Sequence, residues 1–189
     1  MKIGVLDLQG DVREHLQAIE ACQAEAVPVK RTEQLHGLQG LIIPGGESTT
    51  LGKLMVQYDF MDAIRDKASQ GMGVLGTCAG MILLATDIAG SDQPRLGLID
   101  MRVQRNAFGR QRESFETEIQ VDALGTSPVH AVFIRAPYIE SVGEGVTVMA
   151  RVADKIVMVK QGRHLALAFH PELTEDLRVH RFFLEGLQV

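Results

Sequence analysis

Short apolar runs alternate with helix-like segments through the first half of the chain. The runs lie at residues 2–8, 26–30, 38–43 and 72–75. After the first run, Val12, Leu16 and Ile19 recur at the three- to four-residue spacing of an amphipathic helix. Strands joined by helical crossovers pair in parallel, and helices then cover both faces of the sheet. The alternation predicts an α/β fold with a three-layer, doubly wound, mostly parallel sheet.

The second half of the chain has a different pattern. Strand-like runs follow one another with little helix between them, at residues 99–103, 117–121, 129–134, 146–152, 156–160 and 165–169. Asp154-Lys155 lies between two Val-rich runs and predicts a hairpin turn. A last helix is expected from Glu175 to Leu187. Without an internal repeat or a linker, we expect one domain, residues 1–189, in which an antiparallel β-rich portion is added to the parallel sheet.

Charge and composition exclude several classes of function. The formal net charge of −5 gives no electrostatic case for binding nucleic acid. No apolar run reaches the length that crosses a membrane. The two cysteines, Cys22 and Cys78, do not make a disulfide framework, and the N-terminus has the pattern of a strand and not of a signal peptide. These features predict a protein of the reducing cytoplasm.

Gly76-Thr77-Cys78-Ala79-Gly80 lies between an apolar strand and a second apolar run, residues 81–88, which predicts a buried helix. Small residues on both sides of Cys78 permit a sharp strand-to-helix turn, as in the nucleophile elbow G-x-S-x-G. Such a turn would expose the sulfur, and the helix N-terminus would favour the thiolate. The alternative is a small buried cysteine in a tight turn.

A glycine-rich loop, Pro44-Gly45-Gly46-Glu47-Ser48-Thr49-Thr50, follows the strand at 38–43. One of the three hydroxyl residues can cap a helix that begins near Leu51. Exposed N–H groups of a Gly-Gly turn can bind an anion or an oxyanion. The loop lacks the Gly-Lys-[Ser/Thr] ending of a phosphate-binding loop. The simpler interpretation is an ordinary connection between a strand and a helix.

His170-Pro171-Glu172 follows the last predicted strand. In an extended segment residues two apart share a side, so Glu172 can hydrogen-bond one ring nitrogen of His170 and orient the other. No other histidine has a carboxylate so placed at a strand end. The remaining ones are interpreted as surface or packing residues: His15, His36, His130, His164 and His180. No spacing of His, Cys, Asp and Glu predicts a metal site.

Three of these segments are expected to meet. Gln9-Gly10, Gly45-Gly46 and Cys78 each follow an apolar strand, and ligands of parallel sheets bind beyond the carboxyl ends of the strands. A polar loop farther along the chain carries Arg105, Arg110 and Arg112. Arginines suit a carboxylate, as in an amino-acid substrate or a partner surface. A solvated loop with internal ion pairs is the alternative.

Together, the Cys78 pentapeptide, the glycine loop and His170-Pro171-Glu172 resemble the class I glutamine amidotransferases, whose core is flavodoxin-like. The resemblance is greatest to the glutaminase subunits of pyridoxal 5′-phosphate synthases and covers essentially the whole chain. It is carried by Leu8 to His15, Pro44 to Thr50, Asn106 to Glu116, Phe133 to Pro137 and Phe169 to Glu172. Asp7 and Tyr138 depart from the residues usual in that family.

The resemblance implies hydrolysis of L-glutamine to L-glutamate and ammonia, with Cys78 as nucleophile, His170 as proton carrier and Glu172 as its orienting partner. It implies an oxyanion hole built from the N–H groups of Gly46 and Ala79. It also implies a glutamine pocket lined by Gly46, Glu47, Ser48, Arg105, Ile134 and Arg135, with Arg105 facing the substrate carboxylate.

The resemblance further implies that ammonia passes to a TIM-barrel synthase subunit that makes vitamin B6, in a hetero-oligomeric complex. The chain itself would need no metal or organic cofactor. Three alternatives are a glutaminase subunit of another amidotransferase, such as imidazole glycerol phosphate synthase, a cysteine-dependent protein of the related DJ-1-like fold, and a non-catalytic regulatory subunit. The Gly-Arg-Gln and Ser-Phe-Glu segments argue against another amidotransferase. The His-Pro-Glu segment argues against the DJ-1-like fold, and the intact triad argues against a non-catalytic subunit.

Overall fold

The computed structural model describes residues 1–105 and 114–188. Its helices are α1 (Val12–Ala21), α2 (Ser48–Gln57), α3 (Phe60–Ser69), α4 (Ala79–Leu84) and α5 (Arg178–Gly186). Short 3-10 helices lie at Thr32–Leu35, Asp122–Leu124 and Pro171–Leu173. None of the described helices has both the length and the hydrophobicity to cross a membrane.

The strands are β1 (Lys2–Leu6), β2 (Glu25–Val29), β3 (Gly40–Ile43), β4 (Gly73–Thr77), β5 (Ala85–Ile88), β6 (Ile99–Gln104), β7 (Ser114–Ile119), β8 (Val129–Ile134), β9 (Tyr138–Val142), β10 (Thr147–Val152), β11 (Lys155–Gln161) and β12 (His164–Leu167). Ten of them form one sheet in the order β2-β1-β3-β4-β12-β11-β9-β6-β5, with β10 beside β11. Its half from β2 to β12 is parallel. The pairs of β11 and the β6–β9 pair are antiparallel, and β7 and β8 form a separate antiparallel ribbon. The predicted α/β fold, with its parallel sheet and added antiparallel portion, is confirmed.

The order of the parallel strands places a crevice beside β1. The chain moves from β1 to β2 on one side and then to β3 on the other. Since crossovers of this kind are right-handed, α1 covers one face of the sheet and α2 and α3 cover the other. Ligands in such sheets bind outside the carboxyl ends of the strands at this switch point. Gln9 and the glycine loop follow β1 and β3 there.

Burial on both faces explains the continuous apolar strands. Ile3, Val5 and Leu6 of β1 are completely buried, as are Val74 and Leu75 of β4. In β8, by contrast, burial alternates between buried and half-buried residues, because this strand packs one face more fully than the other. Pro28 lies on β2, the edge strand, where a missing backbone N–H breaks no ladder.

The prediction of a helix through residue 88 was wrong. Helix α4 ends at Leu84, and Ala85–Ile88 is strand β5, which pairs in parallel with β6. An unbroken apolar run fits a buried helix and a buried strand equally well. Pairing with β6, which is distant in sequence, determines the outcome.

Two further elements differ from the prediction. Strand β9 was not predicted, and it pairs with β6 and β11. The last helix begins at Arg178 and not at Glu175. Asp176 accepts hydrogen bonds from the Arg178 backbone N–H and guanidinium, which starts the helix one turn later. The predicted hairpin turn joins β10 and β11 but lies one residue earlier, at Ala153 and Asp154; Ala153 has a φ of 52°, and Lys155 already belongs to β11.

Candidate active site

A cleft of about 380 Å³ opens at the carboxyl edge of the parallel strands. Nine of the predicted site residues line it: Gly46, Glu47, Ser48, Cys78, Ala79, Arg105, Ile134, Arg135 and His170. Glu172 lies behind His170 and is buried. The volume suits a small ligand such as an amino acid. Gln9, which was expected to meet this edge, also lines the cleft, and three further lining residues were not assigned to a site: Asp11, Ile82 and Pro137.

Cys78 occupies the turn between β4 and α4. Its φ of 49° and ψ of −104° are an unusual backbone conformation for a residue with a side chain. Its N–H donates to the Leu167 carbonyl at 2.8 Å, which fixes the turn to β12. The sulfur is nearly buried, and its thiol donates to the Ile134 carbonyl at 3.8 Å. A strained cysteine facing a cleft is the geometry of a nucleophile elbow.

His170 and Glu172 form the expected pair. His170 Nδ1 lies 2.7 Å from Glu172 Oε1, and both side chains are buried. The segment is not extended as predicted, because residues Pro171–Leu173 form a 3-10 turn with His170 at its N-cap. The turn still brings the carboxylate to Nδ1. Nε2 of His170 has no hydrogen-bond partner among the described residues and remains for a ligand.

Burial and charge act against each other on this pair. Burial lowers the pKa of His170, but interactions with Asp11, Cys78 and Glu172 outweigh it and raise the pKa above its ordinary value. Burial raises the pKa of Glu172, partly countered by the His170 ring. An imidazolium that forms at His170 is therefore stabilised by carboxylates, as a proton carrier requires.

Asp11 is a second carboxylate close to His170. It occupies the N-cap position of α1, but its side chain makes no capping hydrogen bond. Oδ2 lies 3.4 Å from His170 Nδ1. Ligand atoms of Asp11, His170 and Glu172 lie within 4.8 Å of one another, a grouping that sequence spacing did not predict. His170 Nδ1 and Glu172 Oε1 are joined by a hydrogen bond, so these two atoms are not free to bind a metal ion.

The glycine loop packs tightly between His170 and Gln9. A Cβ on Gly45 would overlap the His170 ring, and one on Gly46 would lie 2.6 Å from Gln9 Oε1. Gly46 also has a φ of +151°, which a residue with a side chain rarely adopts. The Gly45 carbonyl accepts from the Asp11 N–H at 3.3 Å, and the Glu47 N–H donates to Gln9 Oε1 at 3.1 Å.

Glu47 caps α2, where a hydroxyl residue was predicted to do so. Its carboxylate accepts from the N–H groups of Thr49 and Thr50 at 3.0 and 2.7 Å, and α2 begins at Ser48 instead of near Leu51. The Thr50 hydroxyl, at 2.6 Å, together with those N–H groups, lowers the pKa of Glu47 to about 2. The carboxylate at this edge of the cleft is therefore charged at neutral pH.

Arg105 is held at the cleft by a buried amide. Its Nη1 donates to Gln93 Oε1 at 2.7 Å and to Thr49 Oγ1 at 3.0 Å. Gln93 also accepts from the Ser48 hydroxyl, so one side chain links the helix start to the arginine. Gln93 was missed because nothing in the sequence beside it indicates a distant arginine.

Of the remaining predicted residues, some lie at the cleft and others fall outside the described part of the chain. Ile134 and Arg135 line the cleft at the end of β8, where Arg135 has a φ of 43°. Ala79 lies at the first position of α4, beside the sulfur. Arg110, Arg112 and the Gly-Arg-Gln segment lie outside the described residues.

Comparison with known proteins identifies the family. A family model described as the SNO glutamine amidotransferase family matches residues 5–189. The chain belongs to this family. The resemblance predicted from the sequence is thereby confirmed.

Similar members of the SNO glutamine amidotransferase family match over nearly the full chain. The pyridoxal 5′-phosphate synthase subunit PdxT of Moorella thermoacetica is 59% identical over 185 residues, or 98% of each chain. The protein of the same name from Niallia circulans is 59% identical over 188 residues, or 100% of this chain and 98% of its own. A solved structure described as "Crystal structure of glutamine amidotransferase" has a TM-score of 0.94 and 52% identity, and covers 99% of both chains.

Proposed function

We propose that this chain hydrolyses L-glutamine to L-glutamate and ammonia and delivers the ammonia to the synthase subunit of a pyridoxal 5′-phosphate synthase. One observation carries the proposal. A cysteine on a strained strand-to-helix turn shares a cleft with a His–Glu pair, in a chain 59% identical to proteins named as the PdxT subunit of that synthase.

The chemistry begins at Cys78. His170 Nε2 takes the thiol proton of Cys78, the thiolate adds to the amide carbon of glutamine, and the N–H groups of Gly46 and Ala79 stabilise the resulting oxyanion. His170 Nε2 gives its proton to the departing nitrogen, so the C–N bond breaks and ammonia leaves. A γ-glutamyl thioester remains on Cys78.

Hydrolysis of the thioester regenerates the enzyme. His170 Nε2 takes a proton from water, the hydroxide adds to the thioester carbon, and the C–S bond breaks to release glutamate. Glu172 keeps the Nδ1 proton on the ring, so that Nε2 alternates between acceptor and donor. Asp11, 3.4 Å from Nδ1, adds negative charge that stabilises the imidazolium.

Charges around the cleft suit an α-amino acid. In this proposal Arg105 binds the α-carboxylate, with Arg135 as a second cation, and the charged Glu47 binds the α-ammonium; all three residues line the cleft. Ser48, Gly46 and the backbone of Ile134 complete the pocket around the side-chain amide. No metal or organic cofactor takes part in these steps.

The partner in this proposal is a TIM-barrel synthase subunit, in a hetero-oligomeric complex in the cytoplasm. Neither nucleic acid nor a membrane is a partner. Ammonia that escapes into water is protonated and no longer a nucleophile, so direct transfer between subunits is needed.

Formation of pyridoxal 5′-phosphate by the reconstituted complex tests the proposal. The chain, the synthase subunit and its sugar-phosphate substrates are combined with either glutamine or an ammonium salt. We expect Cys78→Ser to abolish formation from glutamine and to leave formation from ammonium intact. Glutaminase activity that supports only imidazole glycerol phosphate synthase, or no ammonia release with any partner, would contradict it.

A further inference from the structure

Two histidines that the proposed chemistry does not use form a buried chain behind Glu172. His15, on α1, and His180, on α5, have 0% and 1% of their surface exposed. His15 Nδ1 lies 3.1 Å from His180 Nε2. His15 Nε2 lies 3.1 Å from Thr77 Oγ1 and 3.4 Å from Glu172 Oε2. The chain therefore connects α5 to the carboxylate that holds His170.

Glu172 lacks a hydrogen-bond donor that the two buried histidines can provide. Its Oε1 is bonded to His170, whereas the buried Oε2 has no hydrogen-bond partner among the described residues. A buried carboxylate oxygen without a donor costs more free energy than a buried neutral acceptor without one. His15 Nε2 lies 3.4 Å from this oxygen.

Both histidines are neutral. Burial, with the nearby His180 and His170 rings, lowers the pKa of His15 well below its ordinary value, and burial lowers that of His180 to about 4. Each ring then carries one proton, and two arrangements are possible along the His15–His180 bond.

Only one arrangement gives Glu172 a donor. If His180 Nε2–H donates to His15 Nδ1, then His15 Nε2–H donates to Thr77 Oγ1 at 3.1 Å, and this N–H group also lies beside Glu172 Oε2, 3.4 Å away. If the protons are reversed, a nitrogen lone pair faces the carboxylate, and His180 Nδ1, which has no partner among the described residues, becomes a buried free donor. The first arrangement leaves only a neutral acceptor unpaired and therefore has the lower free energy.

We propose that His15, held in its Nε2–H tautomer by His180, is a positioning residue that donates to Glu172 and extends the Cys78–His170–Glu172 chain to His180. Neither histidine touches substrate in this role. The donor keeps Glu172 ionised and oriented, so that Glu172 supports the His170 imidazolium and, through it, the Cys78 thiolate. The kinetic consequence rests on the proposed glutaminase function; the tautomer does not.

Nitrogen-15 NMR of histidine-labelled wild-type protein tests the tautomer without any activity assay. At pH 7 we expect His15 and His180 both to be neutral and protonated at Nε2. Assignment uses the His15→Gln and His180→Gln spectra. Protonation of His15 at Nδ1, or a doubly protonated His15, would overturn the proposal even if the protein proves to be an active glutaminase.

Paired variants test the positioning role. His15→Leu removes the donor, whereas the amide of His15→Gln can donate to Glu172 and accept from His180. With the synthase present, we expect kcat/KM to fall by about tenfold to a hundredfold in His15→Leu, mainly through kcat, and to recover substantially in His15→Gln. His164→Leu is the matched control, because this partly buried histidine accepts from the Val74 N–H and does not reach Glu172.

Alkylation of Cys78 by iodoacetamide gives a second measurement on the isolated chain. We expect the rate of alkylation at neutral pH to fall in His15→Leu and to stay unchanged in His164→Leu, because a less supported His170 imidazolium activates the sulfur less. An unchanged rate in folded His15→Leu, or equal losses of kcat/KM in the Leu and Gln variants, would contradict the positioning role. Should His15→Leu not fold, the wild-type tautomers still decide.

Discussion

At the scale of single residues, the two cysteines differ in conformation and surroundings. Cys78 lies in a strained turn at the cleft, whereas Cys22 follows α1 and packs partly against the core. Burial raises the pKa of the Cys22 thiol, partly countered by Arg181. We predict that a glutamine-like electrophile modifies Cys78 and spares Cys22. Peptide mapping by mass spectrometry checks this, with Cys22→Ala as control; a label on Cys22 would reject the assignment.

The His–Glu pair allows a graded prediction. His170→Asn removes the group that accepts and returns the proton, and we expect kcat/KM to fall by about 10²- to 10⁴-fold. Glu172→Gln removes the negative charge but keeps an amide oxygen that can accept from the Nδ1–H, and we expect a smaller loss. Steady-state kinetics with the synthase, beside thermal unfolding of each variant, measure both. Near-normal turnover in His170→Asn with an unchanged unfolding midpoint would mean that another base operates.

Local sequence was sufficient for the residues whose partners are close along the chain. The small residues on both sides of Cys78 predict its turn. His170 could be paired with Glu172 because the two are only two positions apart. Asp11 and Gln93 were not assigned roles because their contacts, with His170 and Arg105, depend on how the strands are ordered. His15 was interpreted as a surface or packing residue for the same reason.

At the scale of elements, the glycine loop is placed to control the oxyanion hole. The Gly45–Gly46 peptide has its carbonyl bonded to the Asp11 N–H, and Gly46 has a φ that glycine tolerates. A reorientation of this peptide would exchange a carbonyl for an N–H donor, which is worth roughly 3–4 kcal/mol at comparable sites. We expect docking of the synthase to favour the N–H orientation.

Kinetics with and without the synthase test this loop. We predict slow hydrolysis by the isolated chain and a large rise in kcat, with a smaller change in KM, on adding synthase. Gly46→Val should blunt the rise without preventing assembly. Gly37→Val is the matched control, since Gly37 also has a positive φ but lies in open space. Equal kcat in the two conditions would reject loop control and leave the triad unaffected.

Helices and strands were predictable where the sequence pattern fits only one type of secondary structure. The parallel strands β1, β3 and β4 are apolar runs bounded by glycine or polar residues, and they were predicted with errors at their ends. Strand β5 was predicted as helix because its apolar run fits either a buried helix or a buried strand. Pairing with β6 makes it a strand. The cap of α2 was assigned to a hydroxyl residue because Glu47 is an uncommon N-cap.

At the scale of the whole molecule, the buried histidines make stability depend on pH. The pKa of His180 is lowered to about 4, so the folded state stays neutral where the unfolded state takes up a proton below pH 6.5. Stability is therefore complete above pH 6.5 and is lost as the pH falls toward 4, by on the order of 3 kcal/mol for this group. His15 acts in the same direction.

Denaturant unfolding between pH 7 and 4 measures this effect. We predict that His180→Gln, whose amide cannot be protonated in this range, flattens the pH dependence relative to wild type. His36→Gln, at an exposed histidine, is the control and should leave the dependence unchanged. Identical slopes for His180→Gln and wild type would show that His180 is not buried neutral.

Ammonia release from L-glutamine, measured with saturating synthase, tests the central claim most directly. Wild type and Cys22→Ser should release ammonia at similar rates, because Cys22 lies outside the cleft. Cys78→Ser should fold, bind the synthase and release none above background. Release by Cys78→Ser at the wild-type rate, or no release by the wild-type complex, would contradict the assignment of this cleft as a glutaminase site.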